Sequence, residues 1–214
     1  MSDAMPTHAE INQRIALTGR ILGSLLYTSP ESPELEDIIS SLSEPDWENE
    51  WPCGDHQRVA VAAADIRLGL TDEAESARLD EEFQRLFIGP DALPAPPWGS
   101  VYLDRESVLF GDSTLALRGW LRRVGIELES DKKEPEDHIG TLLLMAAWVA
   151  EEQARSLPVL LAEHILPWSS RYLALLEEGS DHPFYRGLAV LTQATLDDWK
   201  TVLALNVPER DLYR

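Results

Sequence analysis

Apolar residues recur at three- and four-residue intervals along most of this chain of 214 residues, and prolines separate one such stretch from the next. This spacing places apolar side chains on one face of an α-helix, whereas a half-buried strand alternates apolar and polar residues. The last stretch begins at Asp181 and Pro183, and its inward-facing residues are predicted to be Phe184, Leu188, Leu191, Trp199 and Leu203. The sequence therefore predicts an all-α fold with a single compact multi-helix domain that spans residues 1–214.

Caps and prolines predict the boundaries of the other helices. The first helix is predicted to end at Ser29-Pro30, and the second to begin at Pro33. Later helices are predicted over 57–68, from Thr71 to near Phe87, from a cap at Asp112 to Gly125, from Pro135, and from Pro158 with a break at Pro167.

The segment 89–111 is the exception, because it shows no helical period. Loops longer than about 12–15 residues in a compact domain are usually functional or disordered. Its apolar residues favour order, and its four prolines limit the entropy that is lost on ordering: Pro90, Pro94, Pro96 and Pro97. Only 100–103 has the composition of a short extended piece. We therefore expect a long, ordered, Pro-rich loop that forms the wall of a peptide groove.

The formal net charge is −20, with 38 acidic residues against 18 basic ones. A surface this negative repels phosphate backbones and anionic membranes, so nucleic acid is an unsuitable partner and a basic partner is favoured. Simple solubility is the alternative explanation of the charge. The N-terminus lacks a secretory apolar core, and no apolar run reaches the roughly 18 residues that span a bilayer. Cys53, as a single cysteine, fits a reducing compartment. We expect a cytoplasmic protein without stable membrane insertion.

Signs of catalysis are weak. No two of the five histidines have the i, i+4 spacing of a helical zinc site, and there is no Gly-rich phosphate loop or nucleophile elbow. We expect no catalytic residue, no metal ligand and no cofactor. Acids and an imidazole gather only at Glu134, Glu136, Asp137 and His138. A helix that begins at Pro135 would explain the acids without any function, because its dipole favours negative charge in the first turn.

Several motifs from residue 83 onward belong together. They read FQRLFIGP at 83–90, LPAPPWGSV at 93–101, LDRESVLFGDST at 103–114 and EPEDH at 134–138, and HPFY at 182–185 also fits. In combination they resemble the TorD/DmsD family of redox-enzyme maturation proteins, and the similarity covers most of the chain beyond Phe83. Close relatives have Trp where this chain has Phe83 and Asp91, which implies a smaller and more acidic groove here.

The resemblance implies a helical chaperone that binds the twin-arginine leader of a molybdopterin-containing reductase, such as the catalytic subunit of a dimethyl-sulfoxide-reductase-like enzyme. It implies support of maturation and a delay of export until the cofactor is inserted, with the export or cofactor-insertion machinery as further partners. Carried over by position, the leader-binding residues are Leu86, Phe87, Pro97, Trp98, Gly99, Ser100, Glu134, Glu136, Asp137 and His138.

The chemistry of such a leader fits these residue types. Two adjacent guanidinium groups require carboxylates, and the following apolar segment requires an apolar trough. Two other functions stay open at this point: a weak guanine-nucleotide-binding or hydrolysing enzyme, which lacks a phosphate loop here, and an assembly factor that contacts the folded reductase and ignores the leader.

Overall fold

The computed structural model describes residues 6–107, 109–127 and 134–214, and across these ranges the chain forms helices and no strand. The all-α prediction is confirmed. The helices are α1 (His8–Tyr27), α2 (Glu36–Ser43), α3 (His56–Thr71), α4 (Glu73–Ser76), α5 (Leu79–Phe83), α6 (Gly99–Leu103), α7 (Asp112–Val124), α8 (Ile139–Glu152), α9 (Leu157–Val159), α10 (Leu166–Gly179) and α11 (Pro183–Val202).

Three helix pairs organise the core. Helix α1 packs along α8, α3 packs along α11, and α10 packs against α11. The α1–α8 contact depends on a glycine, because a Cβ atom at Gly23 would lie 2.8 Å from the carbonyl oxygen of Gly140. The backbones of α1 and α8 are therefore in direct contact at Gly23. A continuous hydrophobic cluster runs through these pairs, and its largest buried side chains include Trp168 and Trp199.

Two helical paths widen into π-helical turns. The path of α5 continues as a π-helix over Gln84–Ile88, where the Gly89 amide donates to the Gln84 carbonyl at 2.8 Å. The second π-helix, Leu160–Ile165, lies between α9 and α10, directly before Pro167. Because proline has no N–H to donate, a regular α-helix cannot continue through it undisturbed. The predicted break at Pro167 is thus confirmed, as an interruption by a wider turn.

Two predicted boundaries are wrong for the same tertiary reason. Residues 100–103 are helical, as part of α6, and the apolar helix begins at Ile139 instead of Pro135. The backbone before each helix pairs with the other segment, through hydrogen bonds of 3.1 Å from the Gly99 amide to the Asp137 carbonyl and of 2.8 Å from the Ile139 amide to the Pro97 carbonyl. Residues 136–138 are therefore held outside the helix, so the acids of this cluster do not occupy its first turn.

The predicted cap at Asp112 and the predicted helix start at Thr71 are also wrong, each by one or two residues. Gly111, and not Asp112, is the cap residue of α7, and the carboxylate of Asp104 accepts the Ser113 amide at 3.1 Å. Thr71 ends α3, and Asp72 caps the following short helix α4. Among the described helices, none is both long enough and apolar enough to cross a bilayer.

Candidate functional site

The Pro-rich loop and the segment before α8 meet in one place, although they lie far apart in sequence. Trp98 and His138 form an isolated antiparallel bridge between the two segments. This bridge brings Pro97, Gly99 and Ser100 beside Asp137. The structure thus joins six of the predicted site residues around one pair of backbone segments: Pro97, Trp98, Gly99, Ser100, Asp137 and His138.

Asp137 is the most unusual residue of this group. Its side chain is buried, at 4% exposure, and its Oδ2 accepts the Ser100 backbone amide at 2.6 Å. Its Oδ1 has no donor of good hydrogen-bond geometry. Burial raises the pKa of Asp137, and the Ser100 backbone amide, followed by the hydroxyls of Ser100 and Thr114, offsets part of that rise. A buried carboxylate oxygen without a donor carries a desolvation cost that an incoming donor would relieve.

His138 serves as the cap of α8. Its Nδ1 accepts the backbone amide of Gly140 at 3.1 Å, so the proton of the neutral ring lies on Nε2. The ring meets Tyr27 and Trp98 in edge-on contacts, with centroid distances of 5.1 and 5.9 Å. His138 therefore connects α1, α8 and the Pro-rich loop.

The two glutamates of the cluster have partners within the chain. Both carboxylate oxygens of Glu136 accept from Nε of Arg118 at 2.8 Å, and the Arg118 guanidinium lies 5.2 Å from the centre of the Phe110 ring. Glu134 accepts a hydrogen bond from the hydroxyl of Tyr27, and burial together with this bond raises the pKa of Tyr27 to about 12. An external guanidinium group would have to share either glutamate with the partner that this glutamate already has.

Leu86 and Phe87 lie elsewhere, in the hydrophobic core. Both are buried, and the ring of Phe87 lies 5.1 Å from that of Phe83 and 5.7 Å from that of Tyr185. Neither residue lines the cavity beside Asp137. Their predicted role in the site stays a prediction.

A cavity of about 530 Å³ opens beside Gly99 and Asp137. Helix α7, the second π-helix and a non-helical segment over 205–214, called the 205–214 segment below, form its other walls. Trp168 of α10 also lines the cavity. A Cβ atom at Gly99 would lie 2.9 Å from Nε1 of Trp168, so glycine lets the Pro-rich loop approach α10 closely. The acidic residues among the described lining are Asp104, Asp112, Asp137, Glu163, Glu209 and Asp211.

Several of these acidic residues, Asp104, Asp112 and Glu163 among them, are not among the predicted site residues. The net charge of −20 is the one sequence signal that points to a concentrated acidic surface. His164 also lines the cavity, and burial lowers its pKa to about 4, against the opposing effect of Glu163. Within 6–107, 109–127 and 134–214 no group of His, Cys, Asp and Glu side chains has an arrangement that could hold a metal ion.

Comparison with known proteins places the chain in a family. The family model described as "Nitrate reductase delta subunit" matches residues 54–174. The chain is 50% identical over 200 residues to the Tat proofreading chaperone DmsD of Salmonella typhimurium, with 93% of this chain and 95% of the relative covered. It is 26% identical over 204 residues to the chaperone protein TorD of a Shewanella strain, with 92% of this chain and 97% of the relative covered.

A solved structure supports the fold. The crystal structure of an Archaeoglobus fulgidus protein assigned to redox enzyme maturation superposes with a TM-score of 0.53 at 17% identity, covering 90% of this chain and 98% of that one. The chain therefore belongs to the nitrate reductase delta subunit family, and within it to the TorD/DmsD proteins that its motifs predict.

Proposed function

We propose that this chain is a chaperone that binds the twin-arginine leader of a molybdenum-containing reductase, of the dimethyl-sulfoxide-reductase type, before that enzyme is exported. The protein acts in the cytoplasm, as one domain over residues 1–214, and binds without catalysis. It supports maturation of its client and delays export until the cofactor is inserted. The names of the relatives, a Tat proofreading chaperone among them, support this assignment.

The observation that carries the proposal is the buried carboxylate of Asp137, whose Oδ1 has no well-aligned donor apart from the nearby hydroxyls of Ser100 and Thr114, beside an acidic cavity. A guanidinium group presents several N–H donors in a planar arrangement and keeps its charge at any physiological pH. Binding it would satisfy Oδ1 and neutralise part of the local negative charge. Charge-assisted hydrogen bonds of this kind are stronger than neutral ones.

The apolar part of a leader also finds partners near this cavity. Trp98 is half-buried next to Gly99, which lines the cavity. Exposed apolar residues occur just before and within the first turn of α7, near Asp112 in sequence: Leu109, Phe110 and Leu115. A leader with arginines in the cavity would extend its apolar segment over this surface. We assign the trough to Trp98 and these residues, and to Leu86 and Phe87 if the π-helix Gln84–Ile88 moves on binding.

Nucleotide hydrolysis is the less favoured alternative. The acidic lining of the cavity repels the phosphate groups of a nucleotide, which normally bind at backbone amides and basic side chains. An assembly factor that binds only the folded reductase would not require a buried acceptor that suits guanidinium groups.

Calorimetric titration with a synthetic leader of a dimethyl-sulfoxide-reductase-type subunit tests the proposal. The matched peptide has both arginines changed to alanine. We expect the arginine-containing leader to bind at least about tenfold more tightly, which corresponds to about 1.4 kcal/mol. Equal binding of the two peptides would assign affinity to the apolar surface, and absence of binding by both would refute leader recognition.

A further inference from the structure

The 205–214 segment lies across the proposed leader site. It follows α11 without forming a helix, and the Tyr213 amide donates to the Tyr102 carbonyl, in α6, at 2.9 Å. The Arg214 guanidinium donates to the carbonyls of Leu93 and Pro94 at 3.0 and 3.4 Å, so it reaches the Pro-rich loop. This segment therefore contacts both elements that surround Trp98 and Ser100.

Arg210 of this segment extends into the acidic cavity. Its Nη2 lies 3.2 Å from Oε2 of Glu163, and both residues line the cavity that Asp137 borders. Among the described lining residues Arg210 is the one arginine. A guanidinium group thus already occupies the negative surface, and the apolar residues Leu212 and Tyr213 follow it after one acidic residue, Asp211. An arginine with apolar residues close behind it shares two chemical features of a leader.

Apart from the hydrogen bonds of Tyr213 and Arg214, which include one from Arg171 to the Arg214 carbonyl, the segment has mostly exposed contacts. The side chains of Arg210 and Glu163 are 51% and 46% exposed, and exposed ion pairs contribute little to stability. Leu212 and Tyr213 remain 40% and 46% exposed, so they bury little apolar surface. A cleft of about 580 Å³ lies between 207–211 and the start of α10. A ligand could displace the segment if its contacts outweigh these hydrogen bonds and the exposed ion pair.

We propose that the 205–214 segment is an internal occupant of the leader site, and that Arg210 holds on Glu163 the place that a leader arginine takes. The inference rests on the proposed function and names the residue, Glu163, that the two guanidinium groups share. In the free chain the segment covers part of the site. A leader binds only to chains from which the segment has dissociated. Its apparent association constant is therefore the intrinsic constant multiplied by the fraction of chains with an uncovered site.

Substitution of Arg210 tests the competition directly. The Arg210→Ala variant loses the internal guanidinium, and we expect the leader of the titration above to bind about two- to fivefold more tightly, the size of an exposed ion pair. The control is Arg58→Ala, which removes the same charge and a similarly exposed ion pair, with Asp197, far along the chain. The control corrects for the altered net charge and should leave the affinity unchanged.

Substitution of Glu163 tests the shared acceptor. In Glu163→Gln both guanidinium groups lose the shared carboxylate, so we expect the added Arg210→Ala change to have no further effect on leader affinity in that variant. Amide hydrogen exchange provides a second measurement on the unmodified chain. Saturation with the leader should speed exchange at Tyr213, because its hydrogen bond to Tyr102 opens when the segment leaves.

The outcomes separate the two proposals. If the wild-type chain binds the leader but Arg210→Ala behaves like Arg58→Ala, or if exchange at Tyr213 is unchanged or slower on binding, the internal occupant is refuted and the leader function stands. If neither the wild-type chain nor Arg210→Ala binds the leader, both proposals fail. Binding by Arg210→Ala alone would support the occupant and show that it covers the site in most free chains.

Discussion

The backbone amide of Ser100 donates a 2.6 Å hydrogen bond to Oδ2 of Asp137 across 37 residues of sequence. This bond fixes one oxygen of a buried carboxylate on the first turn of α6 and leaves Oδ1 for another donor. The site that we propose for a leader arginine is therefore part of the same contact that folds the Pro-rich loop. Asp137 and Ser100 therefore both stabilise the fold of the Pro-rich loop and form part of the proposed leader site.

Trp98→Ala should weaken binding of the arginine-containing leader by at least about tenfold, since partly exposed tryptophans that become buried on binding dominate many interfaces. The helical content should change little, because the adjoining bridge is made by the backbone of Pro97 and Ile139. Circular dichroism checks the fold and calorimetry the affinity. Trp148→Ala, at an exposed tryptophan of α8, is the control, and an equal loss in both variants would contradict the assignment.

Gly23→Ala should lower the free energy of unfolding by about 1–3 kcal/mol, because the added methyl group has no room between α1 and α8. Gly119→Ala is the matched control. Outside the backbone of its own helix, a Cβ atom there would have Nη1 of Arg123 as its nearest neighbour, at 3.5 Å, and alanine is the better helix former by about 0.8–1 kcal/mol. Urea denaturation of both variants checks the prediction, and a Gly23→Ala variant as stable as the wild-type chain would show that the helices can separate freely.

The pH dependence of stability should contain a contribution from His164. Burial lowers the pKa of this imidazole to about 4 in the folded chain, against an ordinary value of 6.5. Below pH 6.5 the unfolded chain gains a proton that the folded chain does not, so stability is lost as the pH falls from about 6.5 towards 4. The loss at pH 4.5 is about 2–3 kcal/mol.

Denaturation of the wild-type chain and of His164→Gln at pH 7 and pH 4.5 checks this loss. The variant should lose less stability on acidification, by about the amount given above for the imidazole. Parallel pH profiles for the two proteins would mean that His164 accepts a proton in the folded state.

Cys53 should be unreactive in the folded chain. Burial, supported by the negative charge of Asp198, raises the pKa of its thiol to about 12. The thiolate is the reactive form, so alkylation by iodoacetamide at pH 8 should be roughly a thousandfold slower than in the unfolded chain. Mass spectrometry of native and urea-unfolded samples measures both rates, and rapid labelling of the native protein would contradict the burial of Cys53.

The sequence predicts much of the helical architecture because helical periodicity, prolines and caps are local signals. The start of α11 at Pro183 and the interruption before Pro167 are of this kind. Helix α6 is not predictable in this way, because its composition favours an extended chain and the acceptor for Ser100 comes from Asp137. The family motifs predict Asp137 and Trp98 as site residues, yet nothing local indicates that Glu163 and Arg210 lie at the cavity beside Asp137. That juxtaposition is made by tertiary packing alone.

A double-mutant cycle between Asp137 and the leader arginines tests the central claim most directly. Asp137→Asn preserves the shape of the side chain and an acceptor for the Ser100 amide, but removes the charge. Calorimetry would measure the wild-type chain and this variant, each with the leader and with its alanine-substituted form. We predict that the substitution weakens binding of the arginine-containing leader only, with a coupling energy of at least about 1.5 kcal/mol. Equal effects on both peptides, or none on either, would contradict the claim that Asp137 binds a leader arginine.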